Sequence, residues 1–222
     1  MNRSFSIVLL LVLLFAAGCG DDKSNSNLAS TSDSLSKPDS EVRGAKIFLY
    51  DRGEVTTKIL ATRIVKFEAL DSTVAFKLNI DMLDSTGRVT TKVVGDSGII
   101  RDNKGLMKIY GNLDVNVLDT AGKVTTNIVG DSGTFHENNE MADIYGNVVV
   151  VTEDSARLET DYLWYDPVTH RIKTDAFVRI TRGKDVVTGW GLDADNKLTR
   201  IKILNKVSGQ LHNVEEAASD SN

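Results

Sequence analysis

Beyond residue 42 the chain alternates apolar and polar positions with a period of two. Leu113, Val115 and Val117 alternate with Asp114 and Asn116. Val74, Phe76, Leu78, Ile80 and Met82 alternate with Ala75, Lys77, Asn79 and Asp81. A period of two places every second side chain on one face of a β-strand. Clusters of turn formers separate these runs: Ser85-Thr86-Gly87, Asp102–Gly105, Thr120-Ala121-Gly122, Glu137–Asn139, Asp166-Pro167 and Asp193–Asn196. No stretch after Cys19 keeps a 3.6-residue period, so the pattern predicts an all-β domain with essentially no helix.

The alternation recurs in register. The stretch Asp84–Gly98 matches Asp119–Gly133, and Ile109-Tyr110-Gly111-Asn112 matches Ile144-Tyr145-Gly146-Asn147. Val55-Thr56-Thr57-Lys58 is an earlier copy of Val89-Thr90-Thr91-Lys92, and weaker copies run on to Val207. About five related units of two strands each tile roughly residues 45 to 210. The repeat carries its apolar parity along. Ile109, Leu113, Val115 and Val117 map onto Ile144, Val148 and Val150, then onto Ile172, Val178 and Ile180, then onto Ile201, Ile203 and Val207. Together with Val74, Phe76, Leu78 and Ile80, these residues are expected to share one face. Lys108, Asp114, Asn116, Asp143, Lys173, Asp175 and Arg179 are expected on the other. Two readings of the apolar face stand side by side: a core filled by its own side chains, or a groove for a large apolar ligand.

The N-terminal segment breaks the pattern. Met1–Ser6 carry Arg3, Ile7–Phe15 are uninterruptedly apolar, and Ala16-Ala17-Gly18 precede Cys19. This is the layout of a secretory signal, with an apolar run shorter than the roughly 20 residues that span a bilayer. The segment resembles a bacterial lipobox, which implies cleavage after residue 18 and acylation of Cys19. Residues 19–41 are rich in Ser, Asn and Asp. They are expected to form a flexible tether of about 25 Å average reach. The β domain is expected over 42–210, and a disordered acidic tail over 211–222.

Composition removes several function classes. The chain has 222 residues, 41% hydrophobic and 26% charged, with a formal net charge of −5. Those fractions fit a globular protein, and the acidic balance argues against nucleic-acid binding. The single cysteine excludes an internal disulfide and a CxxC zinc site. His136, His170 and His212 have no metal-ligand spacing, and position twelve of a calcium loop opened at Asp193 falls on Leu204 rather than Glu. No metal or cofactor is expected. Gly95-Asp96-Ser97-Gly98 and Gly130-Asp131-Ser132-Gly133 have the look of a serine-protease nucleophile motif. The motif occurs twice at equivalent repeat positions, as a structural turn would, and both copies precede the first histidine. A nucleophilic serine needs a base within hydrogen-bond reach, so no enzyme is expected.

Short strands closing on Gly-Asn-Val or its variants resemble the OstA family of periplasmic lipopolysaccharide carriers. The stretch Leu158–Ile180, followed by Gly189-Trp190-Gly191-Leu192-Asp193, resembles its LptC branch; the resemblance covers about residues 42–207. It implies an OstA-like folded-over β-jelly roll that holds the lipid A acyl chains of lipopolysaccharide in an apolar groove. The groove face would be Val74, Phe76, Leu78, Ile80, Ile109, Leu113, Val115, Ile144, Val148, Val150, Val178 and Ile180. The N-terminal edge would dock on the membrane subunits of the Lpt ABC transporter. The C-terminal edge, at Ile201, Ile203 and Val207, would pair with LptA. Gly189 and Gly191 carry over as structural positions. The resemblance implies no enzyme activity, and a periplasmic site anchored through Cys19, to the inner membrane. An LptA-like bridge and a closed-core, protein-binding lipoprotein are the alternatives.

Overall fold

The computed structural model describes residues 37–101, 104–136 and 141–210; the expected signal, Cys19, most of the tether and the tail lie outside them. Eleven strands follow one another: β1 (Ser40–Asp51), β2 (Glu54–Phe67), β3 (Ser72–Leu83), β4 (Val89–Arg101), β5 (Leu106–Leu118), β6 (Val124–His136), β7 (Met141–Thr152), β8 (Arg157–Asp166), β9 (Arg171–Arg182), β10 (Asp185–Asp195) and β11 (Ile201–Gln210). They form one antiparallel sheet in strict chain order. A 3-10 turn at Glu68–Leu70 joins β2 to β3. β1 begins two residues before the expected domain boundary and adds a strand to the expected five pairs.

Short hairpins make this meander possible, and an aspartate opens four of them. Asp84 Oδ1 accepts the Thr86 and Arg88 amides at 2.8 and 3.1 Å. Asp119 Oδ1 accepts those of Ala121 and Lys123 at 2.8 and 2.9 Å. Asp166 and Asp195 do the same for Val168 and Thr169, and for Lys197 and Thr199. A side chain that imitates a backbone turn in this way is the reason Asp is favoured there.

Midway along, the strands bend. Left-handed residues mark the line: Gly44 in β1, Lys77 in β3, Gly111 and Asn112 in β5, Gly146 and Asn147 in β7, Gly191 in β10 and Lys206 in β11. Register shifts fall on the same line, between Val94 and Ser97, Val129 and Ser132, and Trp190 and Leu192. Bulges of this kind bend a strand and re-aim its side chains. The repeated Gly-Asp-Ser-Gly motif lies here, within β4 and β6, and not in a turn as the sequence suggested. Its glycines let neighbouring side chains lie on bare backbone. A Cβ at Gly95 would stand 2.2 Å from Ile109 Cγ2, and one at Gly98 2.4 Å from Leu78 Cδ1. The aspartates fasten the bend. Asp96 accepts Lys77 Nζ at 2.7 Å and Asn112 Nδ2 at 2.6 Å, and Asp131 accepts Asn147 Nδ2 at 2.9 Å.

The bend also changes parity, which corrects one expectation. Across left-handed Lys77 the inward positions of β3 step from Ala75 to Leu78, so Val74 and Phe76 face outward. Val74 lies opposite Val65 and Ile99, and Phe76 opposite Arg63 and Ser97, with the Arg63 guanidinium 5.4 Å from its ring centre. Strict alternation from Val74 to Met82 had placed all five on one face.

Apolar side chains from β2 to β10 bury against one another in a single cluster. No second layer exists among the described residues, so the sheet covers its inner face by folding on itself.

Gly146→Ala should unfold more easily, because its Cβ would meet Asp131 Oδ2 at 2.3 Å in a left-handed residue. A loss of roughly 2–3 kcal/mol is expected. Gly122→Ala, in an open hairpin with nothing within 4 Å, should lose only about 1 kcal/mol. Urea midpoints of the two variants measure the difference.

Candidate functional site

The inner apolar face is the candidate site. Of the twelve residues expected on it, ten enter the buried cluster: Leu78, Ile80, Ile109, Leu113, Val115, Ile144, Val148, Val150, Val178 and Ile180. Val74 and Phe76 do not. Even-numbered strands contribute as well, through Ile59, Ile128, Leu158, Leu163 and Leu192. In β8 the buried positions run from Leu158 to Thr160 and then to Leu163. That step of three at the bend hid the strand from a strict two-residue pattern.

Burial is graded along the face. Ile128, Val148, Val150, Leu158, Leu163, Ile172 and Val178 are 0% exposed. Toward β1 the inner residues Ile47, Leu49, Ile64 and Val93 are only partly buried. Burial is thus complete across β6–β9 and loosest at β1, while β3 still buries Leu78 and Ile80 to 2 and 1% exposure.

Two rims face each other across the folded sheet. One holds the start of β6, the β7–β8 hairpin and the end of β9. The other holds the β8–β9 and β10–β11 loops. At the closed end they touch. Thr126 Oγ1 donates to the Asn196 carbonyl at 3.1 Å, across 70 residues of sequence. Arg182 Nη2 donates to the Leu198 carbonyl at 2.9 Å and lies 3.4 Å from Asp154 Oδ2. Leu198 is fully buried in a left-handed conformation (φ 55°). Asn196 donates its backbone N–H to the His170 carbonyl at 2.9 Å, and its side chain hydrogen-bonds Tyr165, whose phenol burial pushes up to about 12.

The sheet ends in two edge strands. On β1, Val42, Phe48 and Tyr50 are exposed. On β11, Ile201, Leu204 and Val207 are exposed by 38, 48 and 60%, while Ile203 packs against the core. Gly191 is left-handed, and a Cβ on Gly189 would stand 2.5 Å from Ile203 Cγ2 and 2.9 Å from the Asn205 carbonyl. β11 thus lies close over β10 at this point.

The outer face is polar but crossed by rings. Tyr145 stacks on Tyr162 with centroids 5.3 Å apart, and Phe177 meets Trp190 edge-on at 5.8 Å. Lys173 Nζ lies 5.2 Å from the Trp164 ring centre. Asp143, expected to face water, instead joins His136 Nε2 at 2.6 Å and accepts the Tyr162 hydroxyl at 2.5 Å. Sequence spacing gave no sign of that trio, because three strands bring it together. Ser97 lies opposite Phe76 and Tyr110, and Ser132 opposite Tyr110 and Tyr145. Neither has a histidine opposite it. Among the described residues no group of three His, Cys, Asp or Glu could hold a metal ion, and no helix is long and apolar enough to cross a membrane.

A single meandering sheet folded over its own apolar face defines the class: an all-β protein of β-jelly-roll type. Residues 117–212 match the family model described as "Lipopolysaccharide-assembly, LptC-related". The matched stretch runs from the end of β5 through β11, so most of the N-terminal half lies outside it. No curated protein matches the chain. Among solved structures it is similar to LptH, described as the LptA homologous periplasmic component of the lipopolysaccharide transport device from Pseudomonas aeruginosa. That match has 12% identity and a TM-score of 0.46, and it covers 55% of this chain and 95% of the other.

Acid should weaken the closed end. Burial alone would raise the Asp195 carboxyl, but hydrogen bonds from Thr199, Arg200 and Lys197 hold it below its ordinary value. A depressed carboxylate contributes stability above the unfolded value of about 3.9, and that stability is lost as pH falls through the folded value. The urea midpoint of Asp195→Asn should therefore lie below that of the native chain at neutral pH. The gap should narrow once the pH drops below about 3.

Proposed function

We propose that this protein is a periplasmic, membrane-anchored component of lipopolysaccharide export that carries acyl chains on the inner face of its folded sheet. The observation that carries the reading is one continuous apolar face, from β2 to β10, graded from fully buried at one end to partly exposed at the other. Lipid A chains fit such a face, each buried CH₂ contributing about 0.8 kcal/mol, while sugars project from the open side into water. The LptC-related stretch supports this choice of cargo.

Anchoring would come from Cys19, which lies outside the described residues, with the inner membrane as its seat. The two edge strands supply the partners. An exposed strand offers unpaired backbone groups, and adding a strand to it keeps the sheet continuous. β1 would meet the membrane subunits of the ABC transporter, and β11, through Ile201, Ile203 and Val207, would pair with LptA. An apolar face would then run unbroken from one protein to the next. The subunit itself does no chemistry; transport is driven by the ATPase elsewhere. An LptA-like bridging role uses the same face and edges.

The complete burial of Val148, Val150 and Val178 favours a second reading, in which the interior is a permanent core and only the edges act, as a protein-binding lipoprotein.

Photo-crosslinking in living cells separates the two. Probes at Leu49 and Ile144, on the inner face, should capture lipopolysaccharide, and a probe at outward Lys108 should not. Crosslinks to protein alone from all three positions, in an abundant folded chain, would favour the second reading. Val207→Pro should abolish capture of LptA while leaving the lipid adduct at Leu49, because it removes an edge donor and not the inner face.

A further inference from the structure

The rim-to-rim contact at the closed end is not required by the sheet. The hairpins opened by Asp84 and Asp119 close on their own residues, whereas the Asn196–Arg200 loop reaches across the fold to the opposite rim. Three features show how it is held. Thr126 Oγ1 and Arg182 Nη2 donate to two of its carbonyls, at 3.1 and 2.9 Å. Leu198 is driven completely into the interior, although its backbone is left-handed, a conformation costly for a leucine. The Asp195 carboxylate, which accepts the Lys197, Thr199 and Arg200 amides, shapes the loop from beneath.

This is a strained loop kept in place by burial and by two polar contacts from the far rim. Release would expose Leu198, which shares one apolar cluster with the fully buried Ile128, Val150 and Leu158. The loop also passes directly into β11, so a strand added to that edge holds one end of it.

We propose that the Asn196–Arg200 loop is a clasp that shuts the apolar interior over β6–β10 and must open before a long acyl chain can occupy that part of the face. The proposal rests on the lipid-carrier reading. Thr126 and Arg182 are the catch, and Leu198 is the bolt. A chain entering from the more accessible β1 end would stop at the clasp until it opens.

The first test needs no lipid. In the full chain carrying Cys19→Ser, a thiol is placed at Val150→Cys, beneath the clasp, or at Leu78→Cys, in the other half. Maleimide labelling is then timed with and without Thr126→Ala and Arg182→Ala together. Opening the catch should speed labelling at Val150→Cys at least tenfold and leave Leu78→Cys nearly unchanged. No acceleration, or an equal acceleration at both sites, would overturn the clasp, the latter by showing general loosening.

The second test uses a fluorescent long-chain fatty acid as probe. A Thr126→Cys/Asn196→Cys pair, closed by oxidation or by a short bis-maleimide, should lower its affinity at least tenfold, with reductant restoring the oxidised form. Equal affinity in the open and closed forms would overturn the clasp and leave the carrier reading standing. No binding in any form would overturn the carrier reading and the proposal together.

Discussion

A sheet one layer thick has only itself to cover its apolar face, and the line of bends across the strands is what lets it do so. Without that line, β2 to β10 would expose a hydrophobic surface to water along the whole domain. The bends are specified locally. In β5 and β7 a Gly-Asn pair takes left-handed backbone, and on the neighbouring even strand an aspartate receives the asparagine amide, as Asp96 does from Asn112 and Asp131 from Asn147. Flanking glycines leave space for Ile109, Leu78, Ile144 and Leu113 to lie against bare backbone. The near-identical repeats are therefore copies of one bending device, and the Gly-Asp-Ser-Gly motif is part of it.

Energetics divides along the same line. Surface ion pairs such as Arg43–Glu41 and Lys123–Glu153 lie in water, where screening leaves them little weight. A buried Ile or Leu contributes roughly 1.5–3 kcal/mol, and the inner face holds many. The fold is thus held by its interior, with the hairpin aspartates fixing register.

Much of this was legible in the chain. Period-two alternation and its recurrence in Ile109–Val117 and Ile144–Val150 gave the strands, the common face and the all-β class. Two things were not legible. Strict alternation carried through Lys77 puts Val74 and Phe76 inward, and nothing in a lysine announces left-handed backbone. An even strand such as β8 hides for a related reason: a step of three at the bend, from Thr160 to Leu163, breaks its alternation. Contacts between rims were beyond reach altogether: Thr126 and Asn196 stand 70 residues apart, and only the closed fold makes them neighbours. The aromatic pairs of the outer face and the His136–Asp143–Tyr162 trio are likewise products of strand register.

The central claim is that the folded sheet parts to take acyl chains between its two halves. Spin labels at Lys184 and Lys197, exposed residues on opposite rims, report that separation by pulsed dipolar spectroscopy. Added lipopolysaccharide should lengthen the distance, and the same molecule stripped of its acyl chains should not. A distance unmoved by saturating lipopolysaccharide would contradict the account and leave the interior a permanent core.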